Sequence, residues 1–323
     1  MKLFRFVILL TASLSLTLAG CAPAAAGAPA AAPVTLKIAV LPIIDTLPMY
    51  VAKQEGLFAK HGVNVEFVPV ASAPARDQLI AAGQADGMIN ETISTFLFNK
   101  DKVQVQIVRY ALRPTEGAGH FFILASAKSG ITSPADLKNV EIGVSQGTVI
   151  EYVTDRLLEG EGLTSDQIKT TSVPNLSDRM ALLASGQLKA GVLPDPFGAL
   201  AAQQGASIVM DDSKHPEYGF SVISFRKDVV DKNPEAIRGF LAAIEEASDL
   251  LDANPAKYAS VLSDNKLVPP SVINTYKIPP FPKAGVPTES EWNDALAWAK
   301  EKGLINADVS YTDSVNASFL PRP

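Results

Sequence analysis

Two stretches of this chain repeat each other about 100 residues apart, and that repeat limits the fold more than any other feature. Arg76, Leu79, Ile80, Ala81, Ala82, Gly83 and Gln84 face Arg179, Leu182, Leu183, Ala184, Ser185, Gly186 and Gln187. The spacing is too long for a solenoid repeat and fits a lobe-sized unit. Around the first copy, residues 36–41, 63–70 and 87–89 read as short strands. Helical spacing of apolar residues covers 48–60 and 74–82, with Gly62 and Gly83 as stops. The same order recurs in the second copy. Strands are expected at 141–144, 168–173 and 190–193, and helices at 148–158 and 177–185, the latter stopped by Gly186. Each copy is therefore β-α-β-α-β, which calls for a mostly parallel sheet flanked by helices. The expected fold class is α/β, in two lobes.

Two lobes need connections. The apolar, β-like runs 121–125 and 221–225 flank the second copy and read as a two-strand hinge. The chain is expected to form lobe one from 35–125 plus 218–323, and lobe two from 126–217. The C-terminal third is helical. Residues 234–251 begin with a proline and place Ile237, Phe240, Leu241, Ile244 and Leu251 on one face. Residues 292–300 do the same with Trp292, Leu296 and Ala299, so the tryptophans are expected in the core.

The N-terminus carries a different signal. Lys2 and Arg5 precede an apolar run from Phe6 to Leu18, interrupted by Thr11, Ser13, Ser15 and Thr17. That run is short for a membrane span and has the layout of a secretory signal over 1–20. It ends in Leu18-Ala19-Gly20-Cys21, which matches the bacterial lipobox. Cys21 is the one cysteine of the chain, so it has no internal disulfide partner and is the expected site of lipidation. The Ala/Pro-rich stretch that follows, within 21–34, lacks large apolar residues and reads as a tether. The protein is thus expected at the extracytoplasmic face of the cell membrane, held by a lipid anchor. The formal charge is −6, with no Lys/Arg run beyond the signal, which argues against a nucleic-acid partner.

Several blocks resemble one family of binding proteins that serve ABC importers. The string from Ile44 to Phe58 (IDTLPMYVAKQEGLF) is similar to that family's opening. Gly83-Gln84-Ala85-Asp86-Gly87-Met88, the segment 182–196, Asn233-Pro234-Glu235-Ala236 and Asn254-Pro255-Ala256-Lys257 match further blocks. The family is the one that binds sulfonates, nitrate and thiamine-type pyrimidines. The resemblance implies the type II periplasmic-binding-protein fold, in which two α/β lobes close on a solute. It implies a monomer that works with a permease and an ATPase.

Ligands of open α/β sheets sit beyond the carboxyl ends of the strands. The nominated loop residues are Asp45, Thr46, Asn90, Glu91, Thr92, Gln146, Gly147, Thr148 and Asp195, with Ser145 beside them. Asp45 is alternatively a helix cap, and Thr148 opens a helix where free amides can hold an anion. Phe121 and Phe122 flank the expected hinge, so that one faces the core and one the cleft. Tyr218 and Tyr110 are aromatic candidates. The loops hold three acids, Asp45, Glu91 and Asp195, and no Lys or Arg. That balance favours a donor-rich neutral ligand, so riboflavin or a thiamine-type pyrimidine is expected, with a sulfonate or nitrate-type anion as the alternative. An enzyme related to the pyrimidine synthases of this scaffold, or a sensor without transport, are the rival classes. His61, His120 and His215 stand isolated in the sequence, and no H-E-x-x-H, Walker A, G-x-S-x-G or G-x-G-x-x-G string occurs. No catalysis, cofactor or metal is therefore expected.

Overall fold

The computed structural model describes residues 33–269 and 273–321. The expected signal, Cys21 and all but the end of the expected tether lie outside the described residues.

The first sheet contains β1 (Val34–Val40), β2 (Val63–Pro69), β3 (Gly87–Asn90) and β4 (Val105–Leu112). The second contains β5 (Phe121–Ala125), β6 (Glu141–Val144), β7 (Lys169–Ser172), β8 (Ala190–Pro194) and β9 (Ser207–Asp211). The chain then returns to the first sheet through β10 (Ser221–Arg226). The strand orders are β2-β1-β3-β10-β4 and β7-β6-β8-β5-β9. These are the same pattern. In each sheet one strand, β1 or β6, pairs in parallel with both neighbours, and a strand arriving from the other lobe, β10 or β5, is inserted antiparallel to both of its own. The repeat seen in the sequence is thus a repeat of topology.

One boundary moves. Residues 121–125 were expected in lobe one, but β5 is hydrogen-bonded on both edges within the second sheet, to β8 and β9. The chain therefore crosses before Phe121, through 113–120, and returns through 212–220.

The helices are α1 (Leu47–Gln54), α2 (Leu57–Lys60), α3 (Ala73–Ala81), α4 (Thr92–Asn99), α5 (Val149–Gly160), α6 (Leu176–Ser185) and α7 (Phe197–Gln203). After β10 come α8 (Lys227–Lys232), α9 (Pro234–Ala253), α10 (Ala259–Asp264), α11 (Glu289–Glu301) and α12 (Tyr311–Ser314). The single helix expected over 48–60 is split into α1 and α2 by Gly56, whose φ of 69° ends the first. β4, β9, α4 and α7 had no counterpart in the sequence reading. β4 hides its period because all eight of its residues are buried, including Gln106 and Arg109. Among the described residues no helix is long and apolar enough to cross a membrane.

The C-terminal helices bind the lobes together. Trp292 and Trp298 are buried, as their spacing predicts. Trp292 packs edge-on against Phe96 of α4 at 4.6 Å. Trp298 donates its indole N–H to Asp155 of α5 at 2.8 Å, and Tyr152 of α5 donates to Asp294 of α11 at 2.6 Å. α11 thereby reaches from one lobe to the other. α9 covers the first sheet, with Phe240 stacked on Phe58 at 5.4 Å and edge-on to Phe225 at 5.5 Å.

Gly239 of α9 lies against the backbone of His61, where an added Cβ would sit 2.3 Å from the His61 carbonyl oxygen. Helix propensity alone favours Gly239→Ala by about 1 kcal/mol. The clash is with backbone and costs roughly 1–3 kcal/mol as an overpacking term. Urea denaturation should therefore show Gly239→Ala to be destabilised; a stabilised variant would show that the α2–α9 contact yields easily.

Candidate ligand cleft

The carboxyl ends of β1, β3, β6 and β8 meet between the lobes at a narrow cleft. Of the residues expected there, Asp45, Asn90, Glu91 and Thr148 line it, with Ser145 and Phe121. The others do not. Thr46 is buried and turns its hydroxyl to the Ile43 carbonyl at 2.7 Å. Thr92 is buried at the start of α4. Gln146 is exposed and reaches Thr170, and the Gly147 amide donates to Glu151 at 2.8 Å. Tyr218 stacks on His215 at 5.7 Å, away from the cleft. Tyr110 donates to Glu291 at 2.7 Å.

Asp195 also leaves the cleft. Its carboxylate accepts from the Tyr276 hydroxyl and lines a separate groove with Phe122 and Tyr276. Its backbone joins the lobes: the Ile44 amide donates to its carbonyl at 3.2 Å, and its own amide donates to the His120 carbonyl at 2.9 Å. The Asp195–Pro196 peptide bond is cis. Of the two phenylalanines, Phe121 faces the cleft and Phe122 packs at Gly198 of α7.

Three groups at the cleft were not foreseen: Arg76, His120 and Ser221. They change its charge. The strand-end loops hold no Lys or Arg, as the sequence shows, but α3 carries Arg76 into the wall. Arg76 donates to Glu91 at 3.3 Å, to Asp77 at 2.8 Å and to the Ile89 carbonyl at 3.2 Å. Glu91 caps α4 by accepting from the Ser94 amide at 2.9 Å. Burial pushes the Glu91 carboxyl up, and Arg76 opposes that shift. Nor is His120 isolated in space. Its Nδ1 donates to the Gly219 carbonyl at 2.6 Å and its Nε2 to Asp45 at 3.2 Å. The second Asp45 oxygen accepts from the Ser221 hydroxyl. His61 and His215 also meet acids, Glu246 at 2.9 Å and Glu217 at 3.2 Å.

The signal for Arg76 was in the sequence, since an arginine occupies the same place in both copies. His120 and Ser221 had none, because each lies at the mouth of a crossing that only the tertiary fold brings together.

Burial works against a charge on His120, but Asp45, Asp212 and the Gly219 carbonyl outweigh it and raise the pKa to about 9. Burial raises Asp195 to about 7 despite Tyr276 and His120. It raises Asp212 to about 7 as well, against the pull of His120 and the two amides it accepts from.

The remaining surface is apolar: Leu41, Ile43, Ile89, Val149, Ile150 and Leu176 are on the walls. A two-lobed α/β molecule with a cleft of this make-up is a solute-binding architecture. The fold is shared with the periplasmic aliphatic sulphonate binding protein SsuA of Escherichia coli, with a TM-score of 0.72 at 21% identity, covering 87% of this chain and 97% of that one. The chain belongs to the family described as NMT1/THI5 like, which matches residues 43–258. It is 25% identical over 219 residues to a putative binding protein of Brucella abortus, the match covering 65% of each chain. It is 24% identical over 266 residues to the nitrate/nitrite binding protein NrtA of a Nostoc species, covering 75% of this chain and 60% of that one. The chain thus matches 65% and 60% of the length of these two relatives.

The titrations give a direction. His120 is raised from 6.5 to about 9, so its contribution is complete below about pH 6.5 and disappears as the pH passes 9. Asp195 and Asp212 are raised from 3.8 to about 7, so their ionisation disfavours the fold increasingly as the pH rises through that window. Thermal melts should show stability falling from pH 6.5 to 9, and His120→Gln should flatten the upper part of that fall. An unchanged slope in the variant would show that His120 is not charged in the folded protein.

Proposed function

We propose that this protein captures a small organic anion with an apolar body, of the aliphatic sulfonate class, and delivers it to a membrane importer of permease and ATPase subunits. The observation that carries this reading is that the acids at the cleft are already used within the protein. Both Asp45 oxygens are engaged, by His120 and Ser221, and both Glu91 oxygens, by Arg76 and the Ser94 amide. The negative charge of these acids is answered by Arg76 and His120, and a neutral, donor-rich ligand would compete with those partners and with Ser221 and the Ser94 amide for the acceptor oxygens. Family membership supports a solute-binding role, and the nitrate/nitrite binding relative supports an anion. Nitrate itself has no apolar part to cover Leu41, Ile43 and Ile89, and a short alkyl chain does. The Leu18–Cys21 string supports an anchor at the extracytoplasmic face, and the monomer implied by the family resemblance is kept.

A second reading keeps a heterocycle, riboflavin or a thiamine-type pyrimidine, because Phe121 lines the cleft and offers a ring face. A thermal-shift panel of ethane-, propane- and butanesulfonate, nitrate, bicarbonate, riboflavin and an aminopyrimidine separates the two. A ligand bound by the folded state alone raises the melting temperature. The sulfonates should give the largest shifts, increasing with chain length. A shift with riboflavin or the pyrimidine alone would replace the anion reading with the heterocycle one.

A further inference from the structure

The two repeat arginines do the same structural job but differ in charge balance. Arg76 and Arg179 each donate to the carbonyl at the same place in the third strand of their unit, Ile89 and Val192. In the first lobe the guanidinium is answered by Glu91 and Asp77. At the same offset the second lobe has Pro194 and Met180. Arg179 is 0% exposed, and among the described residues no carboxylate lies within ion-pair distance of it. Its other partners are the Val173 carbonyl at 2.8 Å and the Ser145 hydroxyl at 2.8 Å. Burial without an acid lowers its pKa to about 9, which leaves it charged at neutral pH.

Ser145 is on the cleft wall, one loop before α5, whose first turn Thr148 caps through the Ile150 amide at 3.2 Å. The acid of that turn, Glu151, is engaged by other partners. It accepts from Gly147 at 2.8 Å and Thr170 at 3.0 Å, with Lys302 3.6 Å off. A buried cation with no acid beside it therefore stands behind Ser145, whose hydroxyl donates to the Pro174 carbonyl at 3.3 Å, a long bond that an anion in the cleft would displace. A charge in that position is costly until an anion reaches it.

We propose that Arg179, acting through Ser145, is a positioning residue that makes the second lobe the half of the cleft that takes the ligand's anionic head. This rests on the anion reading above and deepens it. The first lobe, whose charges are internally paired, then closes on the apolar part. The polarity of the ligand is set by the absence of both acids from one of two equivalent arginine sites.

The test measures Kd by titration calorimetry for 1-propanesulfonate and for the neutral propanesulfonamide, using wild type, Ser145→Ala and Arg179→Lys. Ser145→Ala leaves the guanidinium and its two carbonyl partners in place. It should weaken sulfonate binding about tenfold, the scale of one hydrogen bond to a charged group, and weaken the sulfonamide, whose oxygens are neutral acceptors, distinctly less. Arg179→Lys should narrow the same ratio, since a point charge cannot hold Val192, Val173 and Ser145 together. If Arg179 only braced the strand, both ligands would weaken equally, and that result overturns the proposal. So does wild-type affinity for sulfonate in Ser145→Ala. If wild type itself bound no sulfonate, the functional reading would fail first, before any variant was compared.

Discussion

A buried carboxylate holds the two passages of the chain between lobes against each other. Asp212, at the end of β9, accepts from the amides of His120 at 2.7 Å and Phe121 at 3.1 Å. Its other oxygen is buried with no hydrogen-bond partner among the described residues. That oxygen fits only because position 219 is glycine: a Cβ there would lie 1.6 Å from it. The Gly219 carbonyl then accepts from His120, whose other ring nitrogen donates to Asp45 of the first lobe. One chain of contacts thus runs from the outgoing crossing, through the return crossing, to the cleft floor. The imidazolium at its centre offsets carboxylates on two sides, which is why three ionisable groups can be buried together.

The same logic sets what the cleft can accept. Charges that line a pocket do not by themselves describe its ligand; their unpaired remainder does. In the first lobe, Arg76 with Glu91 and Asp77, and Asp45 with His120, leave little remainder. In the second lobe, Arg179 has no acid in contact among the described residues. The apolar walls contribute area, at roughly 25 cal/mol per Å² covered, and the unpaired guanidinium contributes sign.

Much of the fold was legible because it is a duplicated unit with strong local punctuation. Gly83 and Gly186 end α3 and α6 with φ of 67° and 80°, and Pro234 opens α9, so those elements announce themselves. β4 and α4 did not, since buried polar side chains such as Arg109 and Asn99 break the pattern that marks a core strand or helix. Arg109 is satisfied by Glu245 at 2.7 Å and Asn99 by the Val105 carbonyl at 2.9 Å, partners distant or invisible in sequence. Asp45, Asn90, Glu91 and Thr148 line the cleft because the strand ends, which the sequence pattern marks, fix their loops. Their charge was misjudged for a physical reason. A count of acids along loops omits cations delivered from a helix, as Arg76 is, or from a crossing, as His120 is. Asp195 was misplaced by its neighbourhood. It follows β8 as expected, but the Tyr276 hydroxyl draws its side chain to the other groove.

The central claim is that the ligand's charge lies against the second lobe and its apolar part against the first. The most direct measurement is a crystal structure of the protein with 1-propanesulfonate bound. The account predicts sulfonate oxygens at the Ser145 hydroxyl and the first amides of α5, with the propyl chain along Leu41, Ile43 and Ile89. A sulfonate seated on Arg76 in the first lobe, with its chain toward Ser145, would contradict it.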